Sequence, residues 1–267
     1  MSSVRVEKPV PGVSVIVLDR PERMNSMSFE LVVPLHEAIE RVAVDNGTTC
    51  VILTGAGRAF CAGADTREST PPPGVEGLSP SRIATRSMTL LADLVPALQR
   101  MPQPVICAVN GPAIGGGLCL TLGADIRIAA ESAWFRAGGI TNGLTAVELG
   151  LSFLLPRAIG SSRAFEVMLS GRDVDAREAE AMGLVSRTVP DHRLMDEALA
   201  LAEQINGWSA EGVSLTKRLM WAGLEAGSLR AAIEMESHTQ LFVRLTTRNF
   251  EEAVAARREG RRPRFRD

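Results

Sequence analysis

A chain of 267 residues, 45% apolar and 22% charged, holds enough apolar material for one large core, or for a core with an appendage. A formal net charge of −2 gives no global attraction for nucleic acid or an anionic membrane. The first residues carry no basic patch followed by an apolar run, and no apolar stretch is long enough to span a bilayer, so a cytoplasmic protein is expected.

Residues 13–18 (VSVIVL) are a β-branched run between Gly12 and the turn Asp19-Arg20-Pro21, which predicts a buried strand. Ser28 stands where a helix cap would stand, and Leu31, Leu35, Ala38, Ile39 and Val42 share one face of a predicted helix reaching about residue 44. Residues 50–53 (CVIL) predict the next strand. Residues 66–81, rich in Pro, Ser, Thr and Gly, predict a surface loop. A helix over 83–100, a strand over 105–109, a glycine-opened helix over 115–122 and a strand over 126–130 follow. This alternation argues for an α/β arrangement with parallel strands. From 191 to 260 the periodicity is helical only, broken near Trp208 and Gly227. The division expected is a core over 1–190 and a helical region over 191–267, with apolar faces free to pack on another subunit.

Cys50, Cys61, Cys107 and Cys119 form no CxxC pair and no Cys/His cluster, so they read as buried thiols rather than metal ligands or disulfides. His36, His192 and His238 have no GxSxG motif near them, which excludes a Ser-His-Asp hydrolase of that type. Trp134, Trp208 and Trp221 read as packing residues. Residues 257–266 hold six arginines without interleaved aromatics, which argues against nucleic-acid binding; they read as a solvated terminus or as phosphate contacts.

Two glycine-bearing segments stand beyond strands: Ala59-Phe60-Cys61-Ala62-Gly63-Ala64-Asp65 and Asn110-Gly111-Pro112-Ala113-Ile114-Gly115-Gly116-Gly117. Small residues let a backbone approach a ligand, and a helix start leaves N–H groups without partners. Two such groups aimed at one point make an oxyanion hole, while each segment by itself is equally well a tight strand-to-helix connection.

Taken together, the two segments resemble the signature of the enoyl-CoA hydratase/isomerase (crotonase) family. The resemblance extends to Asp19-Arg20-Pro21-Glu22-Arg23-Met24-Asn25-Ser26-Met27, to Ala124-Asp125-Ile126-Arg127-Ile128-Ala129, to Met182-Gly183-Leu184-Val185 and to the ending Arg262-Pro263-Arg264-Phe265. It implies an α/β spiral of ββα units with a C-terminal all-helical trimerisation region, assembled as a homo-trimer or hexamer. It implies an acyl-CoA thioester as substrate and no separate cofactor, coenzyme A being part of the substrate. By motif position the thioester oxygen would be held by the backbone N–H groups of Ala64 and Gly116. Coenzyme A would lie along Ala62, Gly63, Asp65, Thr66 and Gly115, with Arg23, Arg262 and Phe265 near its phosphates and adenine.

The sequence departs from the hydratases of that family at both catalytic glutamates: Cys119 and Gly139 stand in their places. A helix-start thiol at Cys119 is read either as a proton-exchanging group or as packing. Glu148 matches a position where dienoyl-CoA isomerases and a chlorobenzoyl-CoA dehalogenase carry a catalytic aspartate. Thr145-x-x-Glu148 is also capping-box spacing, with Leu144 and Leu149 as its apolar staple, so Glu148 is read equally as acid/base or as helix cap. Three functions remain open: a double-bond isomerase using Glu148, a non-catalytic acyl-CoA-binding protein, and a hydratase recruiting Asp65, Glu68 or Glu148.

Overall fold

A computed structural model describes residues 2–67 and 70–265; Glu68 and Arg266 lie outside the described residues. Among the described residues nine strands run in order: β1 (Val4–Val10), β2 (Gly12–Leu18), β3 (Thr48–Gly55), β4 (Val105–Val109), β5 (Ala113–Ile114), β6 (Ile126–Ala130), β7 (Trp134–Arg136), β8 (Val174–Asp175) and β9 (Arg187–Val189). The helices are α1 (Phe29–Ala43), α2 (Pro80–Arg100), α3 (Gly116–Gly123), α4 (Gly138–Thr141), α5 (Leu151–Ile159), α6 (Ser161–Ser170), α7 (Ala176–Met182), α8 (Leu194–Asn206), α9 (Ala210–Glu225), α10 (Leu229–Thr246) and α11 (Asn249–Glu259).

Six strands form the main sheet in the order β1-β2-β3-β4-β6-β9, with β1 antiparallel to β2 and the rest parallel. Both faces of the sheet's centre are covered, which is why β2, β3 and β4 read as near-continuous apolar runs. Ile16, Leu18, Val51, Leu53, Cys107 and Val109 face one core with α1, α2 and α3. Val13, Val15, Val17, Ile52, Ile106 and Ile128 face the other, which Leu194, Ala198 and Ala202 of α8 close. Thus α8, although within the helical stretch after 190, packs on the sheet.

A second sheet, β5-β7-β8, is continued by two isolated bridges, Cys61 with Ala113 and Met27 with Ala64. The chain therefore repeats one course: a strand in the main sheet, a short strand or bridge in the second, then a helix. β2, Met27 and α1 make the first turn; β3, residues 61–64 and α2 the second; β4, β5 and α3 the third. Successive turns stack by strand pairing, as in the expected ββα spiral.

Three features escape a reading of the sequence. In β1, Arg5, Glu7 and Lys8 mask the alternation, and of the strand's seven residues only Val4 is buried. β5 and β8 have two residues each and β7 three, too few for any periodicity. Along α10 no described residue is buried, and Leu229, Leu241, Phe242 and Leu245 are all more than half exposed.

Candidate active site

The two glycine-bearing segments meet at one corner of the spiral. Asn25, at φ 54° in the left-handed region, sends Nδ2 to the carbonyls of Ala56, Ala59 and Phe60 at 3.0, 2.8 and 3.2 Å. Asn110 does the same from the other side, donating to Gly57 O at 3.0 Å and Ala59 O at 3.3 Å. With the carbonyls of 56, 57, 59 and 60 thus engaged, residues 61 and 64 continue the second sheet through their bridges. Ile114 N–H donates to Cys61 O at 2.9 Å, and a Cβ added to Gly63 would stand 3.6 Å from Gly116 N. Among the described residues, the N–H groups of Ala64 and Gly116 donate no hydrogen bond. For Gly116 this follows from its place as the first residue of α3, where no carbonyl lies one turn behind.

A cavity of about 440 Å³ opens at this corner. Arg23, Ala62, Gly63, Ala64, Asp65, Thr66, Gly115 and Glu148 all line it. Gly116, the next residue along the chain from Gly115, is not among those lining it. Arg262 and Phe265 do not line it: within one chain, Phe265 faces a separate apolar cavity beside Trp208, Lys217 and Trp221. Sequence reasoning missed Met24, Arg58, Arg67 and Asn142, which also line the site. Arg58 and Arg67 flank the first glycine segment, so their nearness to it was the available signal.

Asp65 is a structural anchor as well as a wall. Its carboxylate accepts from Arg23 Nη2 and Ser26 Oγ, both at 2.9 Å, and from the Arg67 N–H at 3.0 Å, with Arg20 Nη1 at 3.4 Å. Burial by itself would raise the Asp65 pKa; the Arg67 N–H, the Ser26 hydroxyl and the Arg23 charge outweigh it and hold the carboxyl below the ordinary aspartate value.

Glu148 is not a helix cap. α5 begins at Leu151 with Gly150 as its cap residue, Thr145 Oγ1 bonds to Val147 O at 3.2 Å, and Leu144 is 70% exposed, so neither capping box nor staple forms. Residues 144–150 are irregular, and Leu149 takes φ 43°. This brings the half-buried Glu148 over the glycines: Oε1 is 3.0 Å from where a Cβ on Gly115 would stand. Gly115 itself has φ 55° and ψ −118°, a conformation and a clearance that glycine alone supplies. Among the described residues nothing bonds to the Glu148 carboxylate. Burial raises its pKa above the ordinary glutamate value.

The two positions of the hydratase glutamates are closed in different ways. A Cβ at Gly139 would collide with the Thr145 carbonyl oxygen. Cys119 is fully buried, and its thiol points to the Glu148 carbonyl oxygen at 3.4 Å. Burial and the neighbouring Glu148 push the Cys119 thiol well above its usual pKa, so it stays protonated. Of its two readings, packing is the one the structure supports.

The sequence profile described as "Enoyl-CoA hydratase/isomerase" matches residues 10–267. A probable enoyl-CoA hydratase of Mycobacterium tuberculosis is 60% identical over 267 residues, covering 100% of this chain and 94% of that protein. A 1,2-epoxyphenylacetyl-CoA isomerase of Escherichia coli is 36% identical over 256 residues, covering 95% of each. Among solved structures, a probable enoyl-CoA hydratase/isomerase from Mycobacterium abscessus superposes with a TM-score of 0.95 at 52% identity, over 100% of this chain and 99% of that one. A monofunctional enoyl-CoA isomerase from M. smegmatis superposes at 0.74 with 51% identity, over 87% and 99%. By profile, sequence and fold together, this chain belongs to the enoyl-CoA hydratase/isomerase family.

Proposed function

We propose that the protein shifts the double bond of an unsaturated acyl-CoA, with Glu148 as its one acid/base and the N–H groups of Ala64 and Gly116 holding the thioester oxygen. The observation that carries this is the unpartnered Glu148 carboxylate poised over Gly115, beside the unpaired N–H of Gly116. Coenzyme A would run along residues 62–66, its phosphates near Arg23.

For a β,γ-unsaturated thioester, Glu148 takes a proton from the α carbon. The electron pair moves into the carbonyl, the resulting dienolate oxygen is held by the two N–H groups, and Glu148 returns the proton to the γ carbon. Electrons and protons balance without water or any added acid. Each N–H donor is typically worth about 3 kcal/mol at such an oxyanion. The raised pKa of Glu148 suits a group that must both accept and release the proton.

Hydration is the second reading, supported by the hydratase names of relatives at 60% identity. Against it, Gly139 leaves no space for a second carboxylate and Cys119 is a buried, protonated thiol. The deciding assay offers a β,γ-unsaturated hexenoyl-CoA, following formation of the conjugated thioester, and in parallel crotonyl-CoA with water. Isomerisation should dominate, and Glu148→Gln should lower it roughly 10²- to 10⁴-fold. Unchanged turnover in that variant would end the proposal. The exposed apolar residues of α10 support assembly as a trimer or hexamer.

A further inference from the structure

Met27 touches both halves of the donor pair. Its main chain pairs with Ala64: the Met27 N–H donates to Gly63 O at 2.7 Å, and Met27 O accepts from the Asp65 N–H at 3.3 Å. The Ala64 unit is thereby gripped on either side while its own N–H is left over. The Met27 side chain, only 7% exposed, crosses to the other half. Its Sδ stands 2.5 Å, and its Cε 3.5 Å, from the point where a Cβ on Gly116 would sit, with Leu149 Cδ1 at 3.4 Å from the same point. One residue of the first turn thus contacts the donor of the second by backbone and the donor of the third by side chain.

The Cys61–Ile114 hydrogen bond also joins these segments, but it lies three residues before Ala64 and two before Gly116. Met27 acts on both donors more directly. We infer that Met27 is a positioning residue that sets the separation of the Ala64 and Gly116 N–H groups, and so decides whether both can grip one oxygen. The inference rests on the thioester-oxygen reading of that pair. The chemistry of the side chain suits this role, since a thioether fills an irregular gap against backbone without offering a competing hydrogen bond of any strength. Removing it leaves the first residue of α3 free to settle into the void. A displacement of about 1 Å in such a site costs roughly 10²-fold in rate.

The test uses butyryl-CoA labelled with carbon-13 at the thioester carbonyl, bound to the wild type, Met27→Leu and Met27→Ala. The carbonyl stretch is read by infrared difference spectroscopy, and kcat and KM are measured with the β,γ-unsaturated hexenoyl-CoA. The wild type should lower the stretch relative to free thioester, and Met27→Leu, of similar volume, should keep most of that lowering. Met27→Ala should lose most of it and about 10²-fold in kcat, with a smaller change in KM. If Met27→Ala merely lowers Tm while the stretch and kcat match the wild type, the inference is overturned. A wild type that binds butyryl-CoA without any lowering overturns the thioester-oxygen reading itself, and the inference with it. Should Met27→Ala not fold, Met27→Val takes its place and the same two results decide.

Discussion

Glu148 ties acidity to both reaction and stability, in opposite directions. In the proposed reaction Glu148 is a base that must be ionised in the free enzyme, and burial holds its pKa above the ordinary value of about 4.3. The acid limb of kcat/KM should therefore have its midpoint above that value. The same ionisation costs stability: the unfolded chain loses this proton first, so stability falls as pH rises from the ordinary value through the raised one. Glu148→Gln removes that cost and should raise Tm at neutral pH while lowering turnover to the extent given above, measured by thermal denaturation beside the isomerase assay. Asp65 has the reverse sign. Its lowered pKa contributes stability above the ordinary aspartate value of about 3.9, lost as pH falls through the folded value. Asp65→Asn should flatten that part of the acid-unfolding profile and loosen Arg23. The meeting of the Ala64 and Gly116 segments at one corner was legible because short motifs mark both. Glu148 carried two readings, since a spacing of three fits a capping box whether or not a helix starts there. The grip of Met27 on Gly116 was not legible at all, because it joins turns of the spiral distant in sequence.

At the scale of elements, helix starts separate real caps from apparent ones. Ser209 Oγ accepts from Gly212 N–H at 3.0 Å at the start of α9 and also from Asn249 Nδ2 at 3.1 Å. Ser209→Ala should cost about 1 kcal/mol or more. Thr145→Ala, at a position of matching motif but no helix, should change stability by no more than about 0.5 kcal/mol, by urea denaturation. The strand 105–109, buried along its whole length, was read to the residue, because an apolar run between Pro104 and Asn110-Gly111 leaves little latitude; 126–130 was read to the same bounds although Arg127 interrupts it. β1 and the second sheet were not, because cross-strand pairing rather than local pattern makes them strands. Gly139 adds a further expectation for the loop after α4. Gly139→Glu should not create a hydratase; with the Thr145 carbonyl in the way, it should lower Tm and leave crotonyl-CoA hydration unchanged.

For the molecule as a whole, a buried polar clamp joins the helical region to the core. Lys217 Nζ of α9 donates to Leu98 O and Gln103 O, both at 2.9 Å, and pairs with Asp125 at 3.0 Å, while Trp221 Nε1 donates to Asp125 at 2.7 Å. Lys217→Met leaves Asp125 without its cation and should destabilise by roughly 3 to 5 kcal/mol. α10, by contrast, has little to hold it within one chain. On the proposed assembly, Leu241→Glu with Leu245→Glu should shift sedimentation toward the single-chain species and leave the far-ultraviolet spectrum little changed.

The repeating course of the chain has a consequence for how such a protein diversifies. Because Ala64 and Gly116 occupy matching corners of consecutive coils, joined by the Cys61–Ala113 bridge, the pitch of the stack, about 4.8 Å per strand, brings their N–H groups to one corner, where the proposed contact of Met27 adjusts the gap. It owes nothing to the length of what lies between. Residues 70–79 belong to that intervening chain and are not among those lining the site cavity, so on the proposed function exchanging them should leave the carbonyl of a bound thioester polarised as before. The winding, rather than the loop it carries, thus sets the spacing at that corner.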